Sequence, residues 1–376
     1  MTTDLSNLIG APVGELDTPA LLIDATILEL NIETMQELCA RYPVKLRPHS
    51  KSHKSREIAR LQTAKGGAIG ICCAKLGEAE RFAAEGMDDI LVTTPLVGKN
   101  KLARLAALLP LAHIKVVVDN ASAIESLGLA AQSVGKPLGV IVEIDVGQHR
   151  CGVAPGPEAA RLAQLINCEP FLRFGGLQGY QGKAQSIIPY RDRFDAVEAA
   201  LSLLQESADH VRKAGFDIQT LTGGGTGSIA IDLALGGLTE VQPGSYIFMD
   251  ASYDRIQWSD STTICPFRPA LSVLVSVVSR PNPERVIVDA GWKSLSSDSG
   301  PPIVKGRPDL EFEFAGDEHG MIRTRNGEFI DLHIGDSIEI LPSHCDTTVN
   351  LYDRFIVIRG GLVQGCWNVA ARGLTQ

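Results

Sequence analysis

The sequence has no excess of basic residues: 35 lysines and arginines stand against 44 aspartates and glutamates, and the 376 residues carry a net charge of −9. Nucleic acids and anionic membranes both select a basic surface, so we expect neither as a partner. The chain also lacks an apolar run of the roughly 20 residues that would span a bilayer. It opens with polar MTTDLSN in place of the charged start and apolar stretch of a signal peptide. These absences predict a soluble, cytoplasmic protein.

The eight cysteines lack the paired spacing of a structural zinc site; they occupy positions 39, 72, 73, 151, 168, 265, 345 and 366. This pattern predicts reduced thiols, as expected of a cytoplasmic enzyme. The chain is longer than a usual single domain, which favours one large domain and a smaller one.

Short β-rich runs alternate with longer amphipathic stretches from about residue 18 to 250. The runs are ALLID, VKLRPH, AIGICC, DILVTT, IKVVVD, VIVEID, GGLQGY and IQTLTGG. The stretches between them, such as KLGEAERFAAEG, repeat apolar residues every three or four positions. Eight such units predict an α/β fold, a (β/α)8 barrel of the TIM type, in which chemistry gathers at the carboxyl ends of the strands. A doubly wound open sheet is the alternative, but no GxGxxG motif opens a first βα turn.

After about residue 265 the pattern changes to paired strands and turns. The segment IRGGLVQG is typical of a hairpin with a Gly-Gly turn. We therefore expect a barrel domain over residues 18–262 and a smaller all-β domain over residues 263–376. Residues 1–17 are free to pack against the smaller domain.

The basic segment VKLRPHSK provides a candidate nucleophile, Lys51. An extended segment places alternate residues on one side, here Lys45, Arg47, His49 and Lys51. Neighbouring cations lower the pKa of a lysine, and the free amine can then attack a carbonyl to form a Schiff base. A solvated basic edge is the alternative interpretation.

Two small-residue turns are candidates for phosphate binding. The segment LTGGGTGS contains Thr226, Gly227 and Ser228, and PGSY follows one predicted strand later with Gly244 and Ser245. Closely approaching backbone N–H groups form an anion-binding nest, and barrels tend to bind phosphate on their late strands. The two turns could hold one phosphate from two sides. A flexible connection that needs positive φ explains the glycines equally well.

Arg150 and Tyr180 are candidates for contacts to a ligand ring. Arg150 follows the acidic run VEIDV at a predicted strand end, where a permanent positive charge could stabilise a phenolate. An ion pair with Asp145 or Glu143 is the alternative for Arg150. Tyr180 is either a core residue or a partner for a ring nitrogen.

His344 and Asp346 in LPSHCDTTVN are candidates for a metal pair. In an extended segment residues i and i+2 point the same way, so both can bind one ion. Two protein ligands leave coordination positions open, as a catalytic metal requires. The alternative is a polar strand end whose groups are satisfied within the protein. The nearby DEHG segment is explained most simply as a turn, although Glu318 or His319 could support the metal ligands.

Taken in order, these segments resemble the metal-dependent D-threonine aldolases and D-3-hydroxyaspartate aldolases. That family is related to eukaryotic-type D-serine dehydratase within the alanine-racemase-like, fold-type III pyridoxal-phosphate enzymes. The resemblance covers nearly the whole chain through LDTPALLID, RPHSKSHKS, GICCAKLGEAE, VEIDVGQHRCGV, GLQGYQG, TGGGTGS, PGSYIFMD, VDAGWKS, DEHG, SHCDTTVN and CWNVAARG.

The resemblance implies roles for individual residues. Lys51 corresponds to the lysine that carries pyridoxal 5'-phosphate, Arg150 to a residue by the ring oxygen and Tyr180 to a residue beside the ring. His344 and Asp346 correspond to the divalent-metal pair. Contacts to the phosphate or the rest of the cofactor are implied for Thr226, Gly227, Ser228, Gly244, Ser245 and Tyr253.

Departures from the family pattern bear on the substrate and the metal. Ala74 stands where some of these aldolases have glutamine, and Gln181 and Ser186 stand where others have histidine, near the expected substrate mouth. The related dehydratases carry His-x-Cys at the metal, whereas here Asp346 takes the cysteine position. An oxygen ligand favours Mn²⁺ or Mg²⁺ over zinc.

The expected function is therefore cleavage of the Cα–Cβ bond of a D-3-hydroxy amino acid to glycine and an aldehyde, by a protein that the resemblance implies to be a homodimer. A dehydratase that releases ammonia and a keto acid is the main alternative. A racemase and a non-catalytic pyridoxal-phosphate-binding barrel are the others.

Overall fold

The computed structural model describes residues 5–260 and 265–376, and the predicted boundary between residues 262 and 263 lies outside them. Within these residues the strands form two sheets, one eight-stranded and parallel and the other nine-stranded and mostly antiparallel. The predicted fold class, a TIM-type barrel with a smaller β domain, is confirmed.

The barrel is formed by eight strands, β2 to β9, whereas β1 (Ala20–Asp24) belongs to the other sheet. The barrel strands are β2 (Lys45–Leu46), β3 (Ile71–Cys73), β4 (Asp89–Val92), β5 (His113–Val118), β6 (Leu138–Glu143), β7 (Leu172–Gly179), β8 (Thr220–Gly223) and β9 (Glu240–Val241). Their order in the sheet is β2-β9-β8-β7-β6-β5-β4-β3. A parallel bridge between His49 and Cys72 joins the two edges and closes the barrel.

The prediction that ALLID is the first barrel strand is wrong. This strand, β1, pairs through Leu22 with Ser272 on one side and Ile356 on the other, so it lies inside the second sheet. Both neighbours bury it, which explains a continuous apolar run that looks like a barrel strand. The eighth barrel strand is Glu240–Val241, and two residues are too few to show a periodic pattern.

Helices pack around the barrel through apolar faces. In α1 the Asp24 carboxylate accepts hydrogen bonds from the first backbone N–H groups, and Leu28, Ile32, Met35 and Cys39 are buried at three- and four-residue spacing. No helix among the described residues is long and apolar enough to cross a membrane. The helices are α1 (Ala25–Ala40), α2 (Arg56–Ala64), α3 (Leu76–Ala84), α4 (Lys99–Leu108), α5 (Ala121–Val134), α6 (Pro157–Cys168), α7 (Tyr190–Lys213), α8 (Ile229–Leu235) and α9 (Ala251–Asp254).

The second sheet carries β1 and the strands that follow the barrel. These are β10 (Leu271–Asn282), β11 (Arg285–Val288), β12 (Ile303–Val304), β13 (Leu310–Phe314), β14 (Gly320–Thr324), β15 (Ser337–Leu341), β16 (Arg354–Arg359) and β17 (Leu362–Asn368). A short helix, α10 (Cys345–Val349), follows β15. The predicted Gly-Gly hairpin is confirmed: Gly360 and Gly361 both have positive φ between β16 and β17. The N-terminal segment packs on this hairpin, where the Gly10 N–H donates to the Val363 carbonyl at 2.8 Å.

Candidate active site

Most of the predicted site residues line one pocket at the carboxyl ends of the barrel strands. Its walls include Lys51, Arg150, Tyr180, Thr226, Gly244, Ser245 and Tyr253. His344 and Asp346 lie on the β domain, and Asp346 reaches the pocket by contacting Lys51. The barrel topology explains this convergence, since parallel strands place their carboxyl ends on the same rim.

Lys51 lies on a tight 3₁₀ turn, Ser50–Ser52, and its backbone N–H donates to His49 Nδ1 at 3.3 Å. On the other side of that ring, His49 Nε2 lies 3.0 Å from Thr93 Oγ1. The Thr93 hydroxyl donates to the Cys73 carbonyl, so its oxygen accepts a hydrogen bond from Nε2–H. Burial lowers the pKa of His49 to about 3, which keeps the ring neutral in this orientation. The residue before the turn therefore holds the lysine segment in place.

Lys51 Nζ contacts the Asp346 carboxylate directly. Burial lowers the pKa of Lys51, but the Asp346 charge outweighs it, and the net shift is upward. The prediction that neighbouring cations lower this pKa is therefore wrong. Arg47 lies deeper in the barrel, where Glu240 neutralises it at 2.9 Å. The predicted extended segment also ends early, because the chain turns at Ser50.

Buried polar side chains connect the pocket floor with the barrel interior. Gln242 Nε2 donates to Gln178 Oε1 at 2.8 Å and to Thr222 Oγ1 at 2.9 Å. Gln178 in turn donates to Glu143, whose pKa burial raises to about 8. Sequence reasoning missed this network. The signal was a polar residue near the end of an apolar run, in GGLQGY and in VQPGSY.

The two small-residue turns meet as expected. Gly225 and Thr226 face Gly244 and Ser245 across the pocket, and the Tyr246 N–H donates to Thr226 Oγ1 at 3.0 Å. At Gly244 an added Cβ would lie 3.0 Å from the His49 carbonyl oxygen, so a larger residue would push the turn and the lysine segment apart by a few tenths of an ångström. The close backbone approach fits a phosphate group.

Gly227 and Ser228 lie behind this turn. The Ser228 hydroxyl donates to Asp232 Oδ2 at 2.6 Å and accepts from Gln185 Nε2 at 2.9 Å. A Cβ on Gly227 would collide with the Gln185 carbonyl oxygen. Burial raises the pKa of Asp232 to about 7. The Ser228 side chain thus supports the turn from behind, while Thr226 faces the pocket.

Arg150 lies beside the Tyr180 ring, with its guanidinium carbon 5.6 Å from the ring centroid. Asp145 instead accepts from the backbone N–H groups of Gly147 at 3.0 Å and His149 at 2.9 Å. Over the described residues, neither Asp145 nor Glu143 forms a salt bridge with Arg150. The geometry therefore leaves the guanidinium at the pocket wall rather than in the ion pair considered above.

His344 and Asp346 form the β-domain side of the site. His344 is the last extended residue before α10, which begins at Cys345, so the prediction of a fully extended pair is wrong. The turn into the helix still brings His344 Nε2 within 4.0 Å of Asp346 Oδ1. Burial lowers the pKa of His344, but the Asp346 and Asp298 carboxylates outweigh it and the net shift is upward.

One nitrogen and one carboxylate oxygen facing each other suit a divalent cation. In the described part of the chain, no group of three or more His, Cys, Asp or Glu side chains could hold a metal ion. A cation at this pair would therefore keep open positions on the pocket side.

Two contacts attach this segment to the barrel. The Cys345 N–H donates to Asp250 Oδ2 at 2.8 Å, and the Ala251 N–H donates to the Pro342 carbonyl at 3.0 Å. Asp250 itself caps α9. The pair thus reaches the pocket on a segment anchored at both ends.

The residues that depart from the family pattern are distributed unevenly. Ala74 lines the pocket, and its N–H donates to Glu78 Oε2 at 2.7 Å. Gln181 Oε1 accepts from the Lys183 N–H at 3.2 Å, and Ser186 is exposed. Of these three, Ala74 is the one among the pocket-lining residues.

The DEHG segment forms the turn between β13 and β14, as the simpler interpretation predicts. Glu318 is exposed there and pairs with Lys293 at 2.5 Å rather than with His344. The carboxylate that contacts His344 is Asp298, at 2.7 Å from Nδ1. Sequence reasoning missed Asp298, which lies four residues beyond the VDAGWKS segment with no pattern to mark it.

Comparison with known proteins identifies the class. A model of the alanine racemase N-terminal domain matches residues 23–252, and a model of a putative serine dehydratase domain matches residues 270–358. A barrel with a lysine at its mouth, followed by a β domain, is thus an alanine-racemase-like architecture. Pyridoxal phosphate is the cofactor expected for aldolases of this kind.

The full-length relatives narrow the class to a family. A D-threonine aldolase from Arthrobacter sp. is 41% identical over 98% of this chain and 96% of its own length. The 3-hydroxy-D-aspartate aldolase of Paracoccus denitrificans strain Pd 1222 is 38% identical over 98% of this chain and 96% of its own length. The crystal structure of D-threonine aldolase from Filomicrobium marinum superposes with a TM-score of 0.94 at 39% identity, covering 98% of this chain and 99% of that one.

Relatives named as D-threo-3-hydroxyaspartate or D-serine dehydratases are more distant, at 29% identity or below. The chain therefore belongs to the family of D-threonine and 3-hydroxy-D-aspartate aldolases, which are carbon–carbon lyases.

Proposed function

We propose that the protein is a pyridoxal-phosphate- and divalent-metal-dependent aldolase. It cleaves the Cα–Cβ bond of D-3-hydroxy amino acids, of the D-threonine or D-3-hydroxyaspartate type, to glycine and an aldehyde. The observation that supports this most directly is the contact between Lys51 Nζ and the Asp346 carboxylate. The Lys51 amine and the metal pair lie side by side. One substrate can therefore place its α-amino group near Lys51 and its β-hydroxyl near the metal pair.

Different residues of the pocket would bind different parts of the cofactor. Lys51 would hold the cofactor through Nζ, Arg150 would lie by the ring oxygen, and Tyr180 and Tyr253 would flank the ring. The phosphate would rest on the two turns, with contacts from Thr226, Gly244 and Ser245, while Gly227 and Ser228 support the first turn from behind. When bound, pyridoxal phosphate supplies an electron sink for negative charge at Cα, and a divalent cation supplies positive charge next to the β-hydroxyl.

Proton transfer at Cα falls to Lys51 in this proposal. His49 is another basic side chain close to the lysine, but its Nε2–H is committed to Thr93 and its Nδ1 to the Lys51 backbone. Lys51 Nζ is therefore the group placed to return a proton to Cα after cleavage, which yields glycine.

The cation would be held by His344 and Asp346. A carboxylate oxygen beside an imidazole nitrogen favours Mn²⁺ or Mg²⁺ over the softer-ligand zinc sites. The His344 ring already directs Nε2 towards Asp346 Oδ1, at 4.0 Å.

The test is incubation of the purified protein, pyridoxal phosphate and Mn²⁺ with D-threonine, L-threonine, D-3-hydroxyaspartate and D-serine, with glycine, aldehyde and ammonia measured together. We expect glycine and aldehyde in equal amounts from a D-3-hydroxy amino acid and none from L-threonine. Ammonia with a keto acid from D-serine, and no glycine from D-threonine, would establish a dehydratase instead.

The proposal also includes the domain boundaries and the oligomeric state. The barrel domain spans residues 18–262, apart from β1, which pairs within the second sheet, the β domain spans residues 263–376, and the active protein is a homodimer. Light scattering of the purified protein measures the second, and limited proteolysis between the domains measures the first.

A further inference from the structure

The side chain of His344 is held from behind by a carboxylate outside the predicted metal pair. Asp298 Oδ2 lies 2.7 Å from His344 Nδ1, the nitrogen that faces away from Asp346. The second oxygen, Asp298 Oδ1, accepts from the Thr347 hydroxyl at 2.8 Å. Both oxygens of Asp298 are therefore used on the one turn that carries the pair.

Further hydrogen bonds fix the segment of Asp298 against that turn. The Ser296 hydroxyl donates to the His344 carbonyl at 3.0 Å, and the Ser296 N–H donates to Thr348 Oγ1 at 3.1 Å. The Ser343 hydroxyl donates to the Ser296 carbonyl at 2.9 Å. Because these bonds do not involve the Asp298 side chain, its removal should leave the two segments together.

The contact decides which nitrogen of the ring is free. A carboxylate accepts hydrogen bonds and donates none, so Nδ1 carries the proton in this pair. The neutral imidazole then has its lone pair on Nε2, the atom directed towards Asp346 Oδ1 at 4.0 Å. Without the carboxylate, the ring would be free to take the other tautomer or to rotate, and either change removes a donor atom from the metal.

We propose that Asp298 is a positioning residue of the metal site: by accepting a hydrogen bond from Nδ1–H it fixes the tautomer and the orientation in which His344 binds a divalent cation through Nε2. The inference rests on the proposed metal pair, and it assigns the residue that keeps His344 able to bind the cation. Asp298 contacts His344 rather than the cation, so it affects the affinity for the cation by orienting the histidine ring.

The test measures Mn²⁺ binding without reference to turnover. Cofactor-loaded protein is stripped of metal and titrated with Mn²⁺, and free Mn²⁺ is followed by electron paramagnetic resonance. Loss of a partner that orients a metal ligand typically weakens binding by about 10–100-fold, and we expect this for Asp298→Ala. Asp298→Asn should bind with intermediate affinity, because the asparagine oxygen still accepts a hydrogen bond from Nδ1–H.

A matched control is Glu318→Ala, which removes another partly exposed carboxylate of the β domain that pairs with Lys293 and does not contact His344. It should bind Mn²⁺ as the wild type does. Selective ¹⁵N-histidine spectra of the metal-free protein, recorded at alkaline pH where the ring is neutral, provide the second readout: the His344 signal, assigned from the His344→Gln spectrum, should report Nδ1–H in the wild type. The same signal should shift towards mixed tautomers in Asp298→Ala.

The outcomes separate the two levels of the argument. Wild-type Mn²⁺ affinity in Asp298→Ala, with binding lost in His344→Ala, would overturn the positioning role and leave the proposed metal site intact. Wild-type affinity in His344→Ala would overturn the metal pair and the inference with it. Should Asp298→Ala fail to fold, Asp298→Asn and the wild-type histidine spectrum still decide, because an Nε2–H tautomer in the wild type contradicts the proposal.

Discussion

The two sides of the pocket are held in different ways. On the barrel side, charges are buried in pairs: the side chains of Arg47 and Glu240 are 1% and 5% exposed and lie 2.9 Å apart. On the β-domain side, His344 is 27% exposed and its partner Asp298 is 47% exposed. A charge in a buried pair cannot fall back on water when its partner is removed, whereas an exposed charge can. Substitutions on the barrel side should therefore reduce stability, and those on the β-domain side should reduce metal affinity.

The binding groups differ as well. The barrel side presents turns whose backbone approaches closely, such as Gly244 near the His49 carbonyl. The β-domain side presents two side chains, His344 and Asp346, on the turn into α10. A single substitution can remove a side-chain ligand outright, but a backbone N–H survives most substitutions. The comparison predicts where activity and stability separate and where they fall together.

The largest effect is expected at Lys51, where the two sides meet. Lys51→Ala should lower kcat/KM by at least the roughly 10²–10⁴-fold that a positioned proton-transfer group contributes. The midpoint of urea unfolding should fall as well, because the Asp346 side chain is only 12% exposed and is left with the more distant His344 Nε2, at 4.0 Å, in place of the lysine. Lys45→Ala is the control, because Lys45 is exposed on the same segment. Near-wild-type turnover by Lys51→Ala would remove the central residue of the proposed mechanism.

A loss of stability should dominate at Arg47. Arg47→Met leaves the Glu240 carboxylate buried without its partner, which typically costs about 3–5 kcal/mol of unfolding free energy. Lys115→Met is the matched control: Lys115 lies 3.4 Å from Asp89, a second partner of Arg47, but is 30% exposed, so its loss should cost about 1 kcal/mol or less. Equal urea midpoints for the two variants would show that burial does not set the barrel side apart.

The outline of the fold follows from the sequence because its signals are local. Alternating apolar runs and amphipathic stretches predict a parallel barrel, and the change of pattern after residue 265 predicts the β domain. The membership of single strands depends on pairing. Leu22 pairs with Ser272 and Ile356, more than 200 residues away, and nothing in ALLID indicates these partners. A short strand such as Glu240–Val241 has too few residues for a period to appear.

The site divides in the same way. Residues that project from strand ends, such as Lys51, Thr226 and Ser245, are predicted to share a rim by the barrel topology, and they line one pocket. The sequence could not predict the pKa values of the site residues or their contacts with distant parts of the chain. The upward pKa shift of Lys51 arises from Asp346, which lies 295 residues away on the other domain. Asp298 was missed for the same reason, because its contact with His344 spans 46 residues of chain.

The support behind the glycine turn should make stability depend on pH. The Asp232 pKa is raised to about 7 from a usual 3.8, so the protonated carboxyl stabilises the fold below about pH 4, and this contribution is lost as the pH rises through about 7. Asparagine cannot ionise. Between pH 5 and pH 8, Asp232→Asn should therefore gain about 2–3 kcal/mol of unfolding free energy relative to the wild type.

Urea unfolding at the two pH values measures the difference. Asp217→Asn, which removes an exposed carboxylate of the same barrel, is the control for the change of net charge. A constant difference between Asp232→Asn and the wild type from pH 5 to pH 8 would contradict the burial argument at this position.

The smallest effects are expected for Thr226 and Thr347, whose side chains form hydrogen bonds on either side of the pocket. Thr226 Oγ1 accepts from the Tyr246 N–H at 3.0 Å inside the barrel, and the Thr347 hydroxyl donates to Asp298 at 2.8 Å near the surface. Thr226→Val leaves a buried N–H without an acceptor, which costs about 1–3 kcal/mol, whereas Thr347→Val exposes its partner to water and should cost less than about 1 kcal/mol.

The two variants should also separate the ligands. Because Thr226 joins the two turns that would hold the phosphate, Thr226→Val should weaken pyridoxal phosphate binding, by about tenfold for each 1.4 kcal/mol that the turns lose. Thr347→Val should leave cofactor affinity unchanged and lower Mn²⁺ affinity slightly, since Asp298 keeps its contact with His344. Fluorescence titration with the cofactor and Mn²⁺ titration of both variants measure this. If both variants weakened both ligands equally, the two sides of the pocket would act as one unit, and the distinction between a buried barrel side and a partly exposed metal side would have no functional meaning.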